Sequence, residues 1–150
     1  MKIKIVVGVL FFYLSSWALN FSIAPTGFEL DLDKVNVEEV YLMNNTATPL
    51  RIETYLEEAR GYEGRNLNEE IVVFPRKVSI RPGGRQIIRF KVKNSEKKSG
   101  RYKSLIVFRE IPSQIKKEKK LGRGSDFGTN LDFVTEIAIG VVGEKRGEIE

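Results

Sequence analysis

Apolar residues in this chain alternate with polar ones or run in short blocks, and this pattern constrains the fold more than any other feature. From residue 21 onward, no segment sustains the roughly 3.6-residue period of an amphipathic helix. Ile88, Phe90 and Val92 alternate with basic residues, as in a half-buried strand. Residues 105–108 are apolar throughout, which is typical of a central strand covered on both faces. Turn signals separate these stretches, so the sequence predicts six or seven strands and no helix.

The predicted strands indicate a single domain. Residues 21–142 contain all of the strand-like segments and have about the length of one domain. Short strands with turns between them are typical of the immunoglobulin-like sandwich. We therefore predict an all-β fold, a seven-stranded immunoglobulin-like β-sandwich over 21–142. A charged tail, which we expect to be disordered, follows at 143–150.

The first strand-like segment changes phase in its middle. Phe21 and Ile23 occupy odd positions, whereas Phe28 and Leu30 occupy even ones, and Pro25 lies between the two sets. Because side chains alternate with period two, such a slip turns the apolar set to the opposite face. A strand that crosses from one sheet to the other would have this pattern. Two separate short strands would fit it almost as well.

The N-terminus has the pattern of a secretory signal peptide. Lys2 and Lys4 flank the start of an apolar run at 5–14, and Ser15 and Ser16 follow it. The run is short for a membrane-spanning helix, and small residues follow it. We therefore predict a cleavable signal at 1–20 and export of the protein. An uncleaved membrane anchor and a buried N-terminal helix are the alternatives.

The composition argues against most enzyme classes. The chain has no cysteine and no histidine, which excludes disulfides, zinc sites built on thiolate or imidazole, and Ser-His-Asp or Cys-His nucleophiles. Acidic pairs such as Glu57-Glu58 and Glu69-Glu70 lie in hydrophilic stretches and not in an evident pocket. The net charge of +5 accompanies no nucleic-acid motif. We predict no enzyme activity, no metal, no cofactor, no nucleic acid and no small-molecule substrate.

The last strand-like segment presents apolar side chains on one face. Leu131, Phe133, Ile137 and Ile139 share that face, and a lysine-rich stretch at 113–130 precedes them. The charges and glycines of that stretch predict a mobile loop. An alternating strand after such a loop fits two interpretations. It is either an edge that pairs with another chain or an ordinary strand facing the core of its own domain.

Four segments, in order and in register, resemble the periplasmic pilus chaperones of the chaperone–usher pathway. They are Pro25-Thr26, Asn44-Asn45, residues 75–90, and residues 102–112 with Phe108-Arg109-Glu110-Ile111-Pro112. The resemblance covers roughly residues 21–142 and the N-terminal immunoglobulin-like domain of that family. It implies a periplasmic protein that takes part in pilus or fimbrium biogenesis and cell wall organization.

The resemblance also implies a mechanism. Chaperones of this family lend their last strand to a pilus subunit whose own fold lacks one, by β-strand addition. The donor face here would consist of Leu131, Phe133, Ile137 and Ile139, with Phe21 and Ile23 as a second contact. The partner would be a secreted pilus or surface-fibre subunit, and no cofactor is needed. An outer-membrane usher and a second copy of this chain are further partners that the resemblance leaves open.

The sequence departs from the family in two respects. The family has an Arg in the first strand and a Lys in the last that bind the terminal carboxylate of the subunit, and here Gly27 and Ala138 occupy those positions. The family also has a second β-sandwich, whereas the resemblance stops at residue 142, as in a one-domain relative or a truncated one. These departures favour an alternative function: a periplasmic structural or scaffold module without chaperone activity.

Overall fold

The computed structural model describes residues 19–93, 96–113 and 134–147. Within these ranges the chain forms two packed β-sheets, which confirms the predicted all-β, immunoglobulin-like sandwich. The strands are β1 (Phe21–Ala24), β2 (Gly27–Asp31), β3 (Asn36–Asn44), β4 (Leu50–Glu58), β5 (Ile71–Phe74), β6 (Lys77–Ile80), β7 (Arg85–Val92), β8 (Gly100–Glu110) and β9 (Glu136–Lys145). One sheet has the order β1-β3-β7-β5 and the other β2-β9-β8-β4-β6. No helix in the described ranges is long and apolar enough to cross a membrane.

Two prolines explain why the described residues form nine strands and not seven. Pro25 separates β1 from β2, and Pro75 separates β5 from β6. At each proline the chain leaves the four-stranded sheet and enters the five-stranded one. Proline has no N–H to donate to a ladder, so it suits a point where pairing changes partner. The predicted crossing at Pro25 is confirmed, and the equivalent crossing at Pro75 is an additional finding.

The core lies between the two sheets. Inward residues of β3 and β7, such as Leu42, Ile88 and Phe90, pack opposite inward residues of β4 and β8. Phe28 of β2 meets Phe90 of β7 edge-to-face, with ring centroids 4.9 Å apart, and so joins the two sheets directly. Aromatic pairs in this arrangement add to the stabilisation that burial alone provides. A chain without disulfides therefore has one continuous hydrophobic core.

The strand β8 is covered on both faces, as its sequence predicts. Ile106, Val107 and Phe108 are all buried, although consecutive residues of a strand point to opposite faces. The neighbouring β9 extends to Lys145. Residues 143–145, predicted to belong to the charged tail, are therefore strand residues. Gly143 and Glu144 pair with β8 on one side and with β2 on the other, and Lys145 pairs with β8.

A buried asparagine joins the end of β3 to two other segments. The Asn44 side chain donates from Nδ2 to the Thr48 carbonyl at 2.8 Å and to the Ile80 carbonyl at 2.9 Å. Its Oδ1 accepts from the N–H and the Oγ1 of Thr46. The Asn44 carbonyl accepts from the N–H of Gly83, whose φ of 67° lies in the region that favours glycine. Asn44 thus fixes the turns at one end of the sandwich.

Candidate functional site

The first residues of β9 have a neighbouring strand on one side only. β8 pairs with β9 from Glu136 to Lys145, whereas β2 pairs with it only from Gly140 to Glu144. The chain before Gly27 has crossed to the other sheet at Pro25, so β2 cannot cover the start of β9. Residues 136–139 therefore form an open strand edge beside β8.

The open edge presents free backbone groups. In an antiparallel ladder, alternate residues direct their N–H and C=O toward the partner strand and the others direct them away. The N–H of Glu110 donates to the Thr135 carbonyl at 2.9 Å, so Thr135 and Ile137 direct their backbone groups toward β8. Glu136 and Ala138 direct their N–H and C=O groups to the opposite side, which β2 does not reach because it begins opposite Gly140. An added strand would find its hydrogen-bonding partners there.

A second open edge lies beside the first. β1 is the outermost strand of the four-stranded sheet and pairs with β3 alone. The Glu110 carboxylate connects the starts of the two edge strands, because Oε2 accepts from Asn20 Nδ2 at 2.8 Å and from the Thr135 N–H at 3.3 Å. Asn20 immediately precedes β1, and Thr135 immediately precedes β9. The two sheets therefore present their unpaired edges on the same side of the sandwich.

Apolar side chains line the gap between the two edges. On β1, Phe21 is fully buried and Ile23 is half-buried against the core. On β9, Ile139 is 1% exposed and Ile137 is half-buried against the core. Ile139 and Phe21 thus belong to the core of this domain itself, and Ile23 and Ile137 lie at its rim. The predicted donor residues Leu131 and Phe133 lie outside the described residues.

The outward face at the start of β9 is held by polar contacts. Glu136 approaches Arg109 on β8, with 3.9 Å between Oε2 and the guanidinium Nε. The Tyr55 hydroxyl on β4 also donates to Glu136, and burial together with this hydrogen bond raises the pKa of Tyr55. Contacts to two successive strands keep the open edge in place, although residues 136–139 have no strand on their other side.

Neither family anchor position carries a charge, as the sequence indicates. Gly27 lies opposite Gly140, and Ala138 lies two residues earlier on β9; both Gly27 and Ala138 are exposed. The side chain of Lys103 lies across Gly140, since a Cβ built on that glycine would be 3.2 Å from the lysine Cε. A lysine from β8 therefore lies beside Gly140, the residue opposite Gly27. Lys103 had no signal in the sequence, because only the register of β8 and β9 brings its side chain beside Gly140.

Some features of the site had no signal in the sequence. The link from Glu110 to Asn20 joins residues 90 positions apart. In the described part of the chain, no group of three or more acidic side chains has the arrangement of a metal site. What the site offers is backbone hydrogen-bonding groups beside an apolar rim. Such an arrangement can bind an extended polypeptide segment.

Comparison with known proteins identifies the fold. No protein-family model matches the chain, and no curated protein sequence matches it. Among solved structures, the class 5 fimbriae chaperone CfaA superimposes with a TM-score of 0.60 at 19% identity, over 86% of this chain and 57% of its own. The SafB chaperone, solved with the Salmonella enterica SafA pilin, gives a TM-score of 0.59 at 7% identity, over 89% and 58%. The chain thus spans a little over half the length of these chaperones.

The same fold occurs outside the chaperones. A PapD-like domain of human CEP192 superimposes with a TM-score of 0.59 at 11% identity, over 87% of each chain. At such identities the likeness shows the fold alone. The predicted resemblance to the pilus chaperones is therefore confirmed at the level of architecture: this chain is a PapD-like immunoglobulin sandwich.

Proposed function

We propose that the protein is a periplasmic assembly factor that binds pilus or other surface-fibre subunits by β-strand addition. The open edge of β9 at residues 136–139 is the observation that carries this proposal. An extended segment paired there would satisfy the outward backbone groups of Glu136 and Ala138. It would also cover the half-buried rim formed by Ile23 and Ile137.

The side chains that the protein lends to its partner would precede the described part of β9. Ile139 is already used in the core of this domain, so it supports β9 and is not available to a partner. Leu131 and Phe133 would be the donor residues, with Ile137 at the boundary. Phe21 and Ile23 on β1 would form the second contact, with Ile23 the accessible one of the two.

The partner class rests on the similar proteins. SafB is a chaperone solved in complex with the SafA pilin, and its fold is the one found here. The resemblance to the pilus chaperones implies that such a subunit exposes the groove of an incomplete sandwich, and covering that groove would prevent edge-to-edge aggregation. The signal-like N-terminus, which lies outside the described residues, supports a periplasmic location. An outer-membrane usher and a self-dimer remain further proposals about partners.

Lys103 would replace the missing anchor. The chaperones that the sequence resembles bind the terminal carboxylate of the subunit with cations at the positions of Gly27 and Ala138, and Lys103 lies beside Gly140, the residue opposite Gly27. Its ammonium group has no acidic partner among the described residues. A charge-assisted hydrogen bond from Lys103 to a carboxylate would fix the end of the added strand. Lys103→Gln should therefore weaken subunit binding without preventing it.

The proposal is tested by removing one free backbone donor. In Ala138→Pro the N–H that points away from β8 is lost while the β8 ladder is retained, which edge positions tolerate. Ala138→Ser, the matched control, keeps that N–H. Each variant is isolated from the envelope of producing cells, and bound proteins are identified by mass spectrometry. We expect a secreted fibre subunit with the wild type and Ala138→Ser, and none with Ala138→Pro.

Amide exchange gives a second readout. The amides of Glu136 and Ala138 should exchange rapidly in the isolated protein and slowly in the complex. Phe133→Asp and Ile137→Asp should also abolish capture, because a charge cannot enter an apolar groove. If no secreted subunit is captured, or if Ala138→Pro captures the same subunit, strand addition at this edge is wrong. The domain is then a periplasmic structural module without chaperone activity, and a PapD-like domain does occur outside the chaperones.

A further inference from the structure

The outward face of the four-stranded sheet exposes an unusual number of large apolar side chains. Phe74 is 75% exposed and Val37 is 62% exposed. Tyr41, Met43 and Val72 are also exposed. These five residues, which we call the outer patch, all belong to β3 and β5 and point away from the core. Large exposed apolar residues concentrated on one sheet face are typical of interaction surfaces.

Basic side chains from β7 cross the outer patch. Arg89 and Lys91 point outward between β3 and β5, whereas Arg85 lies opposite Met43 of β3, beyond the part of β7 that pairs with β5. Glu39 is the one acidic residue among the outward strand positions of this face, and it pairs with Arg89 at 2.8 Å. That guanidinium, with the hydroxyl of Tyr41, lowers the pKa of Glu39 and keeps it charged. Among the described residues, no acidic side chain pairs with Arg85 or Lys91, so the face carries excess positive charge.

A groove at one end of the outer patch combines both features. It has a volume of about 350 Å³ and runs between β1 and β3. Its lining includes Tyr41, Met43 and Arg85, together with Ser22, Ile23 and Ala24 of β1. A space of this size accepts a large apolar side chain. Arg85 at its edge would pair with a carboxylate near that side chain.

From these observations we infer that the outer patch is a docking surface for an acidic, apolar segment of a second protein. An apolar side chain of that segment would occupy the groove, and its carboxylates would pair with Arg85 and Lys91. Tyrosine, phenylalanine, methionine and arginine, which make up much of this surface, are enriched in protein interfaces. Most of the surface lies on the outward face of the four-stranded sheet, away from the open edge of β9, and it meets the proposed subunit contact only at Ile23 in the groove.

The spacing of the cations sets the length of the partner segment. Arg85 and Lys91 are six residues apart on one strand, a distance of about 20 Å. An extended segment of about six residues, or a helix of about 13 residues, would span it. The segment must therefore carry acidic residues near both ends and apolar residues between them. A short motif with a single carboxylate would contact only half of the surface.

The inference is tested with a library of random peptides of about 15 residues, selected against the purified full chain. We expect enrichment of peptides with separated acidic residues and apolar residues between them. Arg85→Glu combined with Lys91→Glu should weaken their binding by at least about tenfold, and Phe74→Ser by about tenfold. Raising the salt concentration should weaken binding to the wild type and have little effect on the double variant.

Two variants elsewhere serve as matched controls. Arg60→Glu reverses an exposed charge on a loop, and Val134→Ser removes an exposed apolar side chain beside β9. Both should leave peptide affinity unchanged, and thermal unfolding should show that every variant is folded. The inference is overturned if no acidic peptide is enriched or if the controls lose as much affinity as the outer-patch variants. It is also overturned if the patch instead binds phosphatidylglycerol vesicles, because its partner is then a lipid surface.

Discussion

Replacing Asn44 with alanine should destabilise the protein strongly, although the change lies far from the open edge. Asn44 is fully buried, and its side chain makes four hydrogen bonds of 2.7 to 2.9 Å. A typical hydrogen bond contributes about 1 kcal/mol net, and a buried group left without a partner costs about 1–3 kcal/mol. The Ile80 carbonyl would lose a buried partner, whereas water would reach the N–H and hydroxyl of Thr46 and the carbonyl of Thr48. We therefore expect a loss of about 3 kcal/mol.

Urea denaturation measures this loss. With an m-value of about 1.5 kcal/mol/M for a domain of this size, about 3 kcal/mol lowers the urea midpoint by about 2 M at unchanged m. The neighbouring Asn45 provides the control, since its side chain is exposed and bonds to Ser22 and to the Leu19 carbonyl at 3.1 to 3.2 Å. Asn45→Ala should cost less than about 1 kcal/mol. Equal midpoints for the two variants would refute the argument that burial makes the Asn44 hydrogen bonds matter.

Three further changes test the packing and the surface ion pairs. Ile139→Ala should lower the free energy of unfolding by about 2–5 kcal/mol in urea, because the side chain belongs to this domain's core; a loss below about 1 kcal/mol would contradict that placement. Gly143→Ala should cost about 1–3 kcal/mol by the same assay, because the new Cβ would lie 2.5 Å from Leu32 Cδ2. Hydrogen bonding to Lys145 lowers the pKa of Asp33 below 3.8. The stability that this carboxylate contributes is therefore present above pH 3.8 and is lost as the pH falls through the lowered pKa. In Asp33→Asn, urea midpoints measured over a pH series should fall less at acid pH than those of the wild type. An unchanged series would show that the Asp33–Lys145 pair adds no stability.

Proposed strand addition and proposed docking would use different faces of one small domain, which meet at Ile23. The open edge of β9 offers backbone groups, which bind a strand with little dependence on its sequence. The outer patch offers side chains, which select a partner by charge and shape. Lys91→Glu, at the end of β7 remote from Ile23, should therefore leave capture of a fibre subunit intact, and Ala138→Pro should leave acidic-peptide binding intact. These two results would separate the proposals.

Local patterns in the sequence determined the class of fold. Alternation with period two predicts strands wherever it occurs, and the phase change around Pro25 predicts the crossing between sheets, because a one-residue slip reverses the buried face. The apolar run at 105–108 predicted a strand covered on both sides. Each of these inferences depends only on residues close together in the chain. For that reason they hold before any partner strand is known.

Tertiary structure alone decided where the candidate surfaces lie. Alternation gives a strand two faces, but β3 and β5 carry apolar residues on both, so Val37 and Phe74 could not be assigned to the surface from sequence. The open edge exists because β2 pairs with β9 only from Gly140 onward, and the pairing of two segments more than 100 residues apart has no local signal. Long-range register is a property of the packed core. The sequence specifies it only through the contacts of many residues together.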